Sequence, residues 1–338
     1  MFETVLVAHR GALTRRVVRT LQRLGTQAIT VHSQVDVDAL HVVEADESVL
    51  LGPAAPQDSY LDVRRVVEAA RRTGAQAVHP GCSVLAEDAG LARAVQAAGL
   101  AWVGADPELL ERPRPTPVAG GVGVQVLGLA DGSFTAVGEL TVRDRGVSRF
   151  EESVALTGRE RDRVRSAALF AAAEAGLRGA GTVELDGQQV RRVVPRLQAS
   201  HALVELVHGL DLVEQQLRIA AGEPVSYAEV EPAGWAVGVR VYAVDPVTGR
   251  PDPGRLTGWV EPPDVRVDAG YRKGDVVPPH YDPLLAVLTV VAPDRAQALA
   301  RAREAIDAFV VEGVRTNLPL LATALADPDR TVRERLRA

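Results

Sequence analysis

Two apolar runs in the first third of this 338-residue chain each stop at a histidine, with a glycine two residues later. Thr4–Ala8 leads into His9-Arg10-Gly11, and Ala77-Val78 into His79-Pro80-Gly81. In a parallel sheet a ligand sits beyond the carboxyl ends of the strands, so these two triplets mark where one is expected. The chain holds one lysine, Lys273, against 37 arginines. Any phosphate or carboxylate would therefore be bound by guanidinium groups, which can grip both bidentately. The segment Ala119-Gly-Gly-Val-Gly123 is glycine-rich enough to approach a phosphate, but it lacks the Lys-Ser/Thr ending of a P-loop and opens no convincing helix, so it reads as a linker. Cys82 is the sole cysteine, which excludes an internal disulfide and any cysteine-based zinc cluster. With no charged neighbour to lower its pKa, it reads as a small buried side chain rather than a nucleophile.

The elements that must position these residues alternate. After the strand Thr4–Ala8, Leu13–Leu24 places Val17, Val18, Leu21 and Leu24 on one helical stripe, and Gly25 ends it. Ala28–Val31 and Ser48–Leu51 read as strands, Leu61–Thr73 as a helix closed by Gly74, and Ala77–His79 as a strand. Helix Leu85–Ala98 and strand Ala101–Val103 follow. This rhythm predicts a parallel, Rossmann-like lobe over residues 1–106. Pro113, Pro115 and Pro117, followed by Gly120, Gly121 and Gly123, then predict an interlobe linker over 107–123.

Beyond the linker, Asp131-Gly132 and Asp186-Gly187 mark two hairpins, the first joining Val124–Leu129 to Ser133–Val142 and the second joining Thr182–Leu185 to Val190–Val194. Arg159–Ala175 and Leu203–Ala220 are predicted as helices, completing a unit over 124–225. Ala236–Ala243, Gly254–Glu261 and Val265–Asp268 predict an antiparallel layer within 226–338, followed by helices Arg295–Val310 and Asn317–Leu325.

Hydrophobic content of 46% with 24% charged residues fits a globular chain rather than a disordered one. A net charge of -6 with dispersed basic residues argues against nucleic acid as a partner. No apolar run reaches about 18 residues and no signal peptide opens the chain, so no membrane partner and a cytoplasmic location are expected.

A series of short motifs resembles one family almost end to end. They include Val7-Ala-His-Arg-Gly11, Ala39-Leu-His-Val-Val-Glu-Ala-Asp46, His79-Pro-Gly81, Arg178-Gly-Ala-Gly-Thr182, Gln216-Leu-Arg-Ile-Ala-Ala-Gly222, Val277-Pro-Pro-His-Tyr-Asp282 and Arg315-Thr-Asn317. The family is biotin carboxylase, the ATP-grasp component of acetyl-, propionyl- and pyruvate-type carboxylases. The resemblance implies an α/β fold: a Rossmann-like parallel N-terminal lobe, an ATP-grasp half and a C-terminal antiparallel layer. It also implies ATP, magnesium and biotin as the family's cofactors and substrates. The family's mobile lid, with its Gly-rich loop and phosphate-binding lysines, belongs where the Pro/Gly linker stands, so a unit of roughly 100 residues is expected to be missing.

Other departures concern chemistry. Glu184 stands where the family has a magnesium ligand, but the second ligand position is Arg192, and a family asparagine nearby is Val194. A hard dication wants several oxygens, so metal is expected to be lost. The family's bicarbonate motif is matched by Arg196 and Gln198, while Ser200 takes the place of the general base. On an extended segment all three would face one side, leaving an anion site without a base, since a hydroxyl does not deprotonate bicarbonate near pH 7. His201 is adjacent, but on a strand it would face the other way. Arg240 matches the family arginine that stabilises the biotin enolate; otherwise it would be a strand arginine paired with Glu184 or Glu205.

The resemblance therefore predicts a non-catalytic relative, without cofactors of its own. It would act as scaffold or regulator for another carboxylase subunit (an active biotin carboxylase, a carboxyltransferase or a carrier) or as a dimer with itself. Met1 is the sole methionine, and the family's biotinylated lysine lies between methionines, so a carrier is expected on another chain. Arg16 and Arg19 match family positions. Arg23 replaces a residue often acidic near the dimer seam, which points to a different, acidic partner. Two other readings remain: a sensor of anions through Arg196, Gln198 and Arg240, and a carboxylase with a reduced ATP site or a lid supplied in trans.

Overall fold

The structure is a computed structural model and describes residues 1–113, 120–142, 146–225, 227 and 231–328. The first lobe runs β1 (Thr4–Val7), α1 (Ala12–Arg23), β2 (Gln27–Ser33), α2 (Leu40–Val43), β3 (Glu47–Gly52), α3 (Val63–Arg72), β4 (Ala77–His79), α4 (Ala89–Ala97), β5 (Ala101–Trp102) and α5 (Pro107–Leu110). Its sheet is parallel throughout, in the order β3-β2-β1-β4-β5. Both faces are covered, which is why β1 is an uninterrupted apolar run rather than an alternating one. The helix expected over 85–98 is divided. A 3-10 turn at Val84–Glu87 gives way to α4 at Asp88, whose side chain accepts the Leu91 amide at 3.0 Å and so starts a new helix. Of the expected linker, 107–110 forms α5, and residues 114–119 lie outside the described residues.

The remainder comprises β6 (Val122–Gly128), β7 (Phe134–Val142), β8 (Phe150–Val154), α6 (Gly158–Ala175), β9 (Gly179–Asp186), β10 (Gln189–Val194), α7 (His201–His208), α8 (Leu212–Ala220), β11 (Trp235–Tyr242), β12 (Gly254–Arg255), β13 (Gly258–Val260), β14 (Arg266–Ala269), β15 (Val276–Val277), β16 (Leu284–Ala292), α9 (Arg295–Ala308), β17 (Val310–Glu312) and α10 (Leu318–Ala326). An eight-stranded sheet in the order β10-β9-β6-β7-β8-β11-β16-β14 carries most of it. β8 pairs with β11, Gly238 opposite Glu151, so strands from both sides of residue 226 share one sheet.

Two expectations need correction here. Leu203–Ala220 is two helices, because Gly209 at φ 63° ends α7 in the left-handed region and Asp211 caps α8 through the Glu214 amide. Gly254–Glu261 is two short strands that join different partners, β12 with β15 and β13 with β17.

Ion pairs tie the lobes together. Arg16 on α1 reaches Glu205 on α7 and Asp211 before α8, each at 2.8 Å, and Arg266 on β14 reaches the other Glu205 oxygen at 2.8 Å. Arg23 pairs with Asp211 at 2.9 Å and Glu214 at 2.7 Å. The Arg23 charge is thus met within the chain, and the acidic partner inferred from it is not required by electrostatics.

Candidate functional site

The carboxyl ends of β1 and β4 open onto a cavity of about 730 Å³ whose far side is built by β9, β10, β11 and the segment around Tyr281. Gly81 has φ 73°, and a Cβ there would lie 2.3 Å from the His9 ring, so glycine is needed for the two strand-end loops to meet.

The floor is a latch between the first lobe and the C-terminal layer. Arg10 donates to both Asp36 oxygens at 2.8 and 2.7 Å and stacks 4.4 Å above the Tyr281 ring. The Tyr60 hydroxyl donates to Asp36 at 2.6 Å, and Tyr281 donates to the Ala54 carbonyl at 2.6 Å. Burial alone would raise the Asp36 carboxyl, but the Arg10 guanidinium holds it below the ordinary carboxylate range.

Glu184 and Arg192 face each other across β9 and β10 in direct register. Arg192 donates to both carboxylate oxygens, at 2.8 and 2.6 Å. With both oxygens engaged by a cation, these residues do not fit a magnesium ion. Among the described residues there is also no group of three or more His, Cys, Asp or Glu placed to hold a metal.

Arg196 and Gln198 line the cavity, and Ser200 does not. The strand β10 ends at Val194: Arg196 lies in a bend whose amide donates to the Val194 carbonyl at 2.9 Å, residues 199 and 200 form a turn, and Ser200, with φ -76° and ψ -1°, starts α7. The extended segment expected to send all three to one side is therefore not formed, and Ser200 falls outside the cavity. Arg196 donates to Glu87 at 2.6 Å and to the Cys82 carbonyl at 3.0 Å. His201 is the first residue of α7, 1% exposed, with Nδ1 2.8 Å from the Gln198 carbonyl, and burial pushes its pKa down. It is a structural contact of the helix start.

Arg240 pairs with neither Glu184 nor Glu205. It donates to Glu151 at 3.0 Å, and Arg149 donates to the same carboxylate. Burial would raise the Glu151 carboxyl, yet the Arg240 and Arg149 guanidiniums hold it below its usual range. Cys82 is buried, and burial pushes its thiol up to about 12, which leaves it protonated and unreactive. Glu87, Arg149 and Glu151 carry no mark in the sequence. Glu151 lies in β8, which was not read from the sequence, and its pairing with β11 is long-range.

Three family profiles match in chain order: "Biotin carboxylase, N-terminal domain" over residues 1–110, "Carbamoyl-phosphate synthase L chain, ATP binding domain" over 124–228, and "Biotin carboxylase C-terminal domain" over 238–334. The biotin carboxylase of Halalkalibacterium halodurans is 30% identical across 97% of this chain and 95% of its own length. The chain belongs to the biotin carboxylase family. That alignment runs over 428 positions against a chain of 338, so at least 90 positions of it are gaps in this chain. Among solved structures, the urea carboxylase of Kluyveromyces lactis matches with a TM-score of 0.90 and 33% identity, over 96% of this chain and 31% of that one. The biotin carboxylase domain dimer of Hydrogenobacter thermophilus 2-oxoglutarate carboxylase, in complex with MgADP, ADP and bicarbonate, matches with a TM-score of 0.89 and 27% identity, over 97% and 95%. The expected biotin carboxylase architecture, parallel in the first lobe and antiparallel elsewhere, is the observed one.

Proposed function

We propose that this chain is a non-catalytic member of the biotin carboxylase family, serving as scaffold or regulatory subunit in a biotin-dependent carboxylase system. The observation that carries this reading is the Glu184–Arg192 pair, which puts a guanidinium where a second metal-binding carboxylate belongs. ATP brings about four negative charges, and phosphoryl transfer depends on cations and metal arranged around them. Two further features support the reading. The 90 or more gap positions suit the loss of the family's lid, which the join between the profile matches at 110 and 124 would accommodate. Ser200, in the general-base position, is turned out of the cavity.

The partner is a second carboxylase component or another copy of this chain, in a soluble complex. Among the described residues no helix is long and apolar enough to cross a membrane. A thermal shift with MgATP, MgADP and bicarbonate tests the reading, since a ligand at 100 times its Kd adds about 2.7 kcal/mol. No shift with the nucleotides is expected; a clear shift with MgATP overturns the reading and returns the chain to the ATP-using members.

A further inference from the structure

The charges around the cavity balance. Five arginines line it: Arg10, Arg149, Arg192, Arg196 and Arg240. Asp36 holds Arg10, Glu184 holds Arg192, and Glu87 holds Arg196. Glu151 stands between Arg149 and Arg240. The fifth carboxylate is Asp282, itself on the lining and within reach of the Arg240 and Arg10 charges. Five cations thus face five carboxylates of the same chain. Four of those carboxylates bond the guanidiniums directly, although Glu151 engages only one nitrogen of Arg149 and one of Arg240, whose Nε atoms have no hydrogen-bond partner among the described residues.

Adding an anion to such a site either leaves one uncompensated charge in a partly buried space or requires a resident ion pair to break, and both are unfavourable. A ligand without net charge meets neither penalty. The remaining lining suits one: Gln198 supplies an amide that can both donate and accept, and Tyr60, Tyr242 and Tyr281 also line the space, although the Tyr60 and Tyr281 rings pack edge to face with Arg10 over Tyr281.

We propose that the cavity is a binding site for an uncharged, hydrogen-bonding molecule, and that Glu151 and Glu87 determine this preference by holding the arginines that would otherwise attract anions. This goes beyond the scaffold reading, because it assigns the retained cavity a ligand class whether or not nucleotide is used.

Benzamide and benzoate, near-isosteric and differing in charge, are the probes. Ligand-observed NMR titration of the full chain is expected to show benzamide preferred by about tenfold or more, reflecting one uncompensated charge at reduced dielectric. Glu151→Gln and Glu87→Gln each keep the side-chain shape while freeing a guanidinium, and each is expected to move the preference towards benzoate. Glu87 has a side chain 27% exposed at the rim, so Glu87→Gln provides the test if the buried Glu151→Gln fails to fold. A preference for benzoate in the unaltered protein, an unchanged preference in a folded variant, or no response to either probe overturns the proposal. None of these outcomes bears on ATP turnover, so failure here is distinguishable from failure of the scaffold reading.

Discussion

Acidification from pH 7 to pH 5 should destabilise this protein through its buried histidines, of which His41 and His79 show the size of the effect; His9 and His201 are also pushed down by burial. His41 and His79 are fully buried. Burial pushes His41 down to about 3, with Asp36 opposing and Arg10 adding to the effect, and pushes His79 down to about 4 against the opposing influence of Gln216. His79 accepts the Gly81 amide at Nδ1, 3.0 Å away, so its neutral form is part of the strand-end geometry. The unfolded chain takes up these protons near pH 6.5 and the folded chain only near 3 to 4, so within that window the unfolded state binds more protons and stability falls as pH falls. At pH 5 each unfolded imidazole is almost fully protonated and each folded one almost fully neutral, giving a loss of about 2 kcal/mol per histidine and about 4 kcal/mol for the pair. Carboxylates held low by arginines work in the other range: their stabilisation is present above about pH 4 and is lost below it. Urea unfolding at pH 7 and pH 5, with His79→Gln removing about 2 kcal/mol of the difference, is the assay. Equal stability at the two pH values would refute the assignment of both imidazoles as buried and neutral.

Arg16→Ala should cost about 3–5 kcal/mol, because it leaves Glu205, whose side chain is 3% exposed, short of one of its two arginines; a loss under about 1 kcal/mol in urea unfolding would show that the interlobe network is not a stabilising one. Cys82 should react with a thiol reagent at pH 8 only as the protein unfolds, and immediate reaction of the folded chain would contradict its burial and its raised pKa.

The first lobe was legible because its signals are local: apolar runs for strands, helical stripes, and glycines such as Gly25 and Gly74 at positive φ after the helices. β16 was not read, although eight of its nine residues are apolar. Buried between β11 and β14, it shows no alternation to mark it as a strand. The break at Gly209 was hidden because the apolar stripe of α7 resumes in α8. The site was legible in which residues it contains but not in their partners. Arg192 opposite Glu184 is a hairpin neighbour and follows from the Asp186-Gly187 turn. Arg240 with Glu151 and Arg196 with Glu87 join residues 89 and 109 positions apart, which no local pattern encodes.

Whether the chain turns over ATP is decided by bicarbonate-dependent ATP hydrolysis with magnesium and added biotin. Phosphate release is expected to be indistinguishable from a no-protein control, both for the chain alone and for the chain with a carrier protein added. Hydrolysis that requires this chain and rises with bicarbonate would contradict it.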